Sequence, residues 1–297
     1  MTRKGCIWGW LIGVLALLVI FLVTIVAIES LLGQSLSFPT YGARVGLLRV
    51  EGGIYDSRQI IADLQHMAED PGIRAIVLRI DSPGGGAAAS QEIYDYIRGV
   101  QEQDIPLVVS MGSVAASGGY YIACTADTIV ANPGTLTGSI GVVMSFTNLE
   151  ELFGKLGMDF EVIKSGRFKD TGSWSRQMTD EERALLQGTI DDIHAQFVEA
   201  VAEGRGMEYD AVAALADGRI FSGRQALEAG LVDRLGTLED AVEVAARMGG
   251  IEGEPRVQEP VRRERLTLWD LLTGTASNLL RPEASSVGAH YIYRPSK

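Results

Sequence analysis

The stretch VVSMGSVAASGGYYIA, residues 108–123, passes from branched apolar residues through alanines, Ser117 and two glycines to an aromatic-led apolar run. Read with the preceding IPL, the first part (105–112) predicts a strand, and YYIACTA (120–126) resumes as helix. Between them lies a junction where only small side chains fit. Such a junction is either a plain tight turn or a place where a nucleophile is presented, with glycine N–H groups left to hold an oxyanion.

The same strand-to-helix alternation recurs on both sides of this stretch. RVGLLRVEGGI (44–54) reads as a strand ending in a glycine turn, and IRAIVLRI (73–80) as a strand covered on both faces. Between them Ile60, Ile61, Leu64 and Met67 share one helical face, with Asp56 or Ser57 as N-cap and Pro71-Gly72 as the stop. DSPGGG (81–86) reads as a loop, followed by the helix AAASQEIYDYIRGVQEQ. These are parallel βα units, so the fold class is α/β, and the loops DSPGGG and VAASGG converge at one carboxyl edge of the sheet. Further on, Thr179 and Glu182 form a capping box for a long helix with Ile190, Ile193, Phe197 and Val201 in its apolar stripe. Two shorter helices follow around a glycine turn within 217–250. VRRERLTLWDLL (261–272) is amphipathic, and the last residues read as a loose tail.

The 297 residues divide into a cytoplasmic start (1–4), a transmembrane anchor (5–28), a linker (29–43), a domain of βα units (44–250) and a C-terminal extension (251–297). The anchor is a run of 24 uncharged residues from Gly5 to Ile28, and a helix of that length crosses a hydrocarbon core of roughly 30 Å. Arg3 and Lys4 before it and Glu29 after it keep the N-terminus cytoplasmic and put the remainder outside the cytoplasmic membrane. That remainder carries 24 basic against 38 acidic residues, a net charge of −14. It is a poor partner for nucleic acid or an anionic lipid surface. Cys6 and Cys124 are the only cysteines, and no Cys/His set has metal-ligand spacing, so no metal or other cofactor is expected.

A serine nucleophile needs a base. The three histidines, His66, His194 and His290, fall in two predicted helices and the tail. This turns attention from a Ser-His-Asp triad to carboxylates and lysines, including the Ser-Lys variant. Beyond the anchor the lysines are Lys155, Lys164, Lys169 and Lys297, and spacing alone does not choose among them. A lysine serves as base only when burial or neighbours lower its pKa from about 10.4. Asp81, Ser82 and Ser113 read as turn hydrogen-bonders, and Tyr120 and Tyr121 as packing residues.

IDSPGGG (80–86), GSVAASGGYYIA (112–123), ANPGTLTGSIGV (131–142), IKSGRFKD (163–170), RQMT (176–179) and GRIFSGRQALEAGLVDRLG (218–236) stand in order along the chain. Together they resemble the short bacterial form of signal peptide peptidase A. That family comprises membrane-anchored serine proteases of the ClpP/crotonase-type fold. The resemblance implies Ser117 as nucleophile, Lys169 as general base and Ser139 as the residue orienting the lysine. The backbone N–H groups of Gly85 and Gly118 would form the oxyanion hole. It implies peptide substrates, remnant signal peptides among them, and a homo-oligomer, an octamer in the first instance. The chain departs from the family pattern after the lysine, with KDTGSW where a KDIMSP-like run is usual, which alters the loop beside the base. Two rival readings are a crotonase-like acyl-CoA enzyme and a catalytically silent membrane scaffold.

Overall fold

The βα alternation is realised in the structure, a computed structural model that describes residues 42–260 and 290–292, together with the helical positions Gly13, Leu17, Val19 and Ile20. The expected anchor, 5–28, lies largely outside the described residues, and the amphipathic stretch 261–272 wholly so. Among the described residues no helix is long and apolar enough to cross a membrane.

In chain order the elements are β1 (Arg44–Glu51), α1 (Arg58–Glu69), β2 (Ile73–Ser82), β3 (Gly84–Gly86), α2 (Ala87–Gln101), β4 (Leu107–Ala116), α3 (Gly118–Ala123), β5 (Thr128–Ala131) and β6 (Leu136–Gly138). There follow α4 (Glu150–Lys155), α5 (Asp180–Arg205), α6 (Tyr209–Ala213), β7 (Ile220–Ser222), α7 (Gly223–Glu228), β8 (Arg234–Leu235), α8 (Leu238–Met248), β9 (Arg256–Gln258) and β10 (His290–Ile292). The main sheet runs β7-β6-β4-β2-β1-β9, with β5 between β4 and β8. Its pairings are parallel except for β6 with β7.

Successive residues of the central strands feed two separate cores, as the two-residue period of a strand requires. Leu48, Val50, Ile76, Leu78, Ile80 and Val109 pack under α1, α2, α3 and α5 with Ile93, Ile97, Tyr120 and Phe197. Val45, Leu47, Ala75, Val77 and Val108 face the other way, onto Ala241, Val242 and Ala245 of α8. This two-sided cover explains why 73–80 reads as a continuous apolar run.

The capping box of α5 is present in both directions, with Glu182 N–H donating to Thr179 Oγ1 at 3.2 Å and Thr179 N–H to Glu182 Oε2 at 2.9 Å. Helix α5 ends at Gly206, in the left-handed conformation that glycine tolerates. At α1 the capping is divided: Asp56 accepts from Arg58 N–H at 2.9 Å, while the Ser57 hydroxyl turns to Glu92.

Three differences from the sequence reading bear on the site. The strand read as 105–112 runs on to Ala116, because its far half exchanges partners, leaving β5 after Met111 and taking up β6 from Val114. Within the loop read at 81–86, Gly84–Gly86 form a strand paired antiparallel with His290–Ile292. That second segment comes from the stretch read as a loose tail. Neither strand carries an apolar alternation, so each exists only through its partner.

Candidate active site

The carboxyl ends of β2, β4 and β6 meet at one edge of the sheet. Ala116 of β4 pairs with Gly138 of β6, so the next residues, Ser117 and Ser139, leave neighbouring parallel strands side by side. Both leave with positive φ, 54° for Ser117 and 51° for Ser139. Among the described residues only Asp104 shares this property outside glycine. A side chain in such a conformation costs on the order of 1–3 kcal/mol, and residues like this cluster at functional sites. The elbow is held from both sides: Ser117 N–H donates to Gly138 carbonyl at 2.7 Å, and Ser117 carbonyl accepts from Tyr121 N–H at 2.8 Å. Ser117 is 1% exposed.

Gly118 opens α3, where an N–H has no intrahelical acceptor, and it donates to no described backbone carbonyl. Helix α3 packs on β3. There Gly84 carbonyl accepts from Ile54 N–H at 3.0 Å, and Gly86 N–H donates to Ile54 carbonyl at 2.7 Å. Strand alternation therefore turns the N–H and carbonyl of Gly85 to the opposite edge, where its partner is Tyr291. The chain's own residues 290–292 thus lie antiparallel along the edge that carries Gly85. No side chain fits at Gly85, since a Cβ would stand 1.9 Å from Ile54 carbonyl oxygen.

Asp81 serves this edge structurally. Its Oδ1 accepts from Val114 N–H at 3.0 Å, at the point where β4 changes partners. A Cβ on Gly112 would sit 2.7 Å from the same carboxyl group, so glycine is needed for the approach. Removing the acceptor leaves a part-buried N–H unmade, which costs about 1–3 kcal/mol. Asp81→Ala should lower thermal stability by that amount and slow turnover, whereas Asp81→Asn, which keeps an oxygen acceptor, should recover most of both. Thermal denaturation and turnover assays check this pair.

Ser139 is 8% exposed, and its N–H donates to Arg219 carbonyl at 2.8 Å. It lines a cavity of about 400 Å³ together with Gln187, Asp191, His194 and Gly218. Sequence reading set His194 aside within a helix; folding brings it to the wall of the cavity that Ser139 lines. Its Nε2 lies 2.8 Å from Ala216 carbonyl, so this nitrogen is spent as a donor tying α5 to the loop that holds Ser139. Cys124, just beyond α3, is fully buried, and burial pushes its thiol up to about 12, which leaves it inert. Tyr120 donates to Leu231 carbonyl at 2.8 Å from full burial and packs, as its place in the sequence suggests.

Lys169 lies on the segment between α4 and α5. It is exposed, and it makes no side-chain hydrogen bond with any described residue. The segment is held by Phe153, Phe160 and Trp174, whose ring centroids stand 4.7 to 4.9 Å apart. Ser117, Ser139, Gly118 and Gly85 are therefore gathered at one sheet edge, and Lys169 stands on the loop between α4 and α5 with no direct bond to either serine. Among the described residues no group of His, Cys, Asp and Glu could hold a metal ion.

A mixed α/β domain built on a mostly parallel sheet is consistent with a ClpP-like fold. Profile comparison agrees: Clp protease matches residues 48–137, and Peptidase family S49 matches residues 100–252. A Synechocystis chain named as a candidate protease is 44% identical over 237 residues, 80% of this chain and 85% of the relative. An Enterococcus faecium chain named as a candidate signal peptide peptidase SppA is 40% identical over 189 residues, covering 64% of this chain and 55% of the relative. The chloroplastic serine protease SPPA of Arabidopsis thaliana is 34% identical over 237 residues, 79% of this chain and 35% of the relative. The chain belongs to peptidase family S49. It is a serine protease, and the mechanism of its family is a Ser/Lys dyad.

Proposed function

We propose that Ser117 is the nucleophile, Lys169 the general base, Ser139 the residue orienting that lysine, and the N–H groups of Gly118 and Gly85 the oxyanion hole. Ser117 Oγ attacks the scissile carbonyl carbon while its proton passes to neutral Lys169 Nζ. The carbonyl oxygen takes up the negative charge beside the two N–H donors, an arrangement worth about 3–4 kcal/mol per donor. Collapse breaks the C–N bond, the protonated lysine gives its proton to the leaving amine, and water hydrolyses the acyl-enzyme by the same base. The observation that carries this reading is the positive-φ elbow at Ser117, one residue before an unused N–H. The antiparallel pairing of 290–292 with Gly84–Gly86 supports an extended peptide as the bound species.

The substrates under this reading are remnant signal peptides and other apolar peptides released at the membrane. Residues 5–28 anchor the chain with its N-terminus cytoplasmic, residues 29–43 link it to the protease domain at 44–250, and the active site faces the extracytoplasmic side. The exposed apolar side chains of Leu152, Leu156, Phe160, Val162 and Ile163 around the lysine loop support association with further copies of the chain, a homo-oligomer with an octamer as first expectation. Burial of that loop would also remove water from Lys169, as a lysine base requires.

The test is hydrolysis of an apolar fluorogenic peptide by wild type, Ser117→Ala and Lys169→Met. Wild type is expected to cleave, both variants to lose about 10³–10⁴-fold or more, and the wild-type rate to rise with pH through one limb as the lysine loses its proton. Equal cleavage by all three would sink the dyad. No cleavage by wild type would favour the scaffold or acyl-CoA reading.

A further inference from the structure

Lys169 is followed directly by Asp170, the carboxylate nearest to it in sequence. A carboxylate beside a lysine stabilises the ammonium form and raises its pKa, which disarms a base near neutral pH. Here Asp170 is committed elsewhere. One oxygen accepts from Lys164 Nζ, the other accepts from Arg176 Nε at 2.9 Å, and its backbone carbonyl accepts from Arg176 Nη2 at 3.3 Å. The Asp170 side chain is 13% exposed. Arg176 reaches on to Glu182, donating to its two oxygens at 2.9 and 2.5 Å. Glu182 belongs to the capping box of α5, so the clamp is anchored in the fold.

The remaining charges of the lysine loop are also paired. Arg167 bonds Glu181 of α5 at 2.5 Å. Among the described residues, Lys169 is the one charged side chain between Lys164 and Asp170 without an ion-pair partner. Arg176 and then Lys164 hold the Asp170 carboxyl well below the usual carboxylate range, and Arg176 brings Glu182 down to about 2. Folded values below unfolded ones mean that the clamp stabilises fully above the ordinary carboxylate pKa and is lost only as pH falls through the lowered values. The carboxylates of the clamp are therefore ionised at neutral pH.

We propose that Lys164 and Arg176 are positioning residues for catalysis: by engaging Asp170 they keep its carboxylate away from Lys169 and leave the base free to lose its proton. The proposal rests on the reading of Lys169 as the base. A released Asp170 would pair with its neighbour and hold it as ammonium.

The experiment follows kcat/KM against pH for the full-length chain in detergent with the apolar fluorogenic peptide. The variants are Lys164→Met, Lys164→Arg, Lys164→Met with Asp170→Asn, and Lys169→Met. Lys164→Met should move the rising limb up by about one pH unit, a loss of about tenfold on the acid side that is regained above the new limb. Lys164→Arg, which keeps the cation, should keep the wild-type limb. Adding Asp170→Asn to Lys164→Met should return the limb to its wild-type position, a rescue that a merely structural role of Lys164 does not provide. A limb unmoved in Lys164→Met, or unrestored by Asp170→Asn, overturns the proposal while Lys169→Met remains inactive. Full activity in Lys169→Met overturns the assignment of the base itself.

Discussion

Ser117→Gly should abolish peptide hydrolysis and at the same time raise the melting temperature. The hydroxyl is the proposed nucleophile, and removing a member of such a unit costs about 10⁴-fold or more in kcat. The conformation works in the opposite direction. With φ at 54° and ψ at −119°, the backbone of Ser117 occupies a region that a side chain enters only at a cost of about 1–3 kcal/mol. Glycine occupies it freely, but loses about 0.5–1 kcal/mol of extra chain entropy on folding. The net is a gain of about 1 kcal/mol, or about 2–4 °C for a domain of this size. Ser117→Ala removes the same hydroxyl and keeps the strained Cβ, so it should be equally inactive without the gain in stability. Thermal melts of the two inactive variants beside wild type check this. Equal melting temperatures for both would remove the argument that the elbow stores strain.

Gly85→Ala should cost both activity and local structure. Its Cβ would stand 1.9 Å from the carbonyl oxygen of Ile54 and 2.4 Å from the carbonyl carbon, atoms of backbone that no side-chain rotation can move away. Relief requires β3 to separate from Ile54, which breaks the two hydrogen bonds that aim the Gly85 N–H outward. Loss of one oxyanion donor is worth about 10²–10³-fold in kcat. The expected signature is therefore a fall in kcat of at least that size, accompanied by a weaker binding of extended peptides, since under the proposed function they pair with the edge that 290–292 occupies. Gly86→Ala is the control. A Cβ at Gly86 meets nothing closer than 3.8 Å, so it should retain most activity. Steady-state kinetics on both variants, with melting curves, distinguish a displaced donor from a general loss of fold.

Much of the scaffold was legible from local pattern. The branched run at 73–80, the capping box at Thr179 and Glu182, and the small-residue junction around Ser117 each carry their meaning within a few residues. Local chemistry dictates them: side-chain period, cap hydrogen bonds and steric room. The strands at Gly84–Gly86 and His290–Ile292 have no such signal. A run of glycines carries no alternation, and its partners, Ile54 and residues 290–292, lie roughly thirty and two hundred positions away. The positive φ of Ser139 was equally hidden, because serine does not announce that conformation as glycine does. His194 was set aside as a helical residue, and only the packing of α5 against the loop after Ala216 brings it beside Ser139.

The sequence alone settled the α/β class and the strand-to-helix junction at Ser117. These follow from periodicity and from residue types whose backbone preferences are intrinsic. Tertiary structure alone decided that β4 would change partners before Ser117, that two serines would leave adjacent strands in the same strained conformation, and that Asp170 would face Lys164 and Arg176 instead of its neighbour. The first two depend on contacts between segments distant in the chain, and the third on a turn whose charged groups stand six residues apart and are tied to the start of α5. Their energies arise only when the sheet and α5 bring the groups within hydrogen-bonding distance.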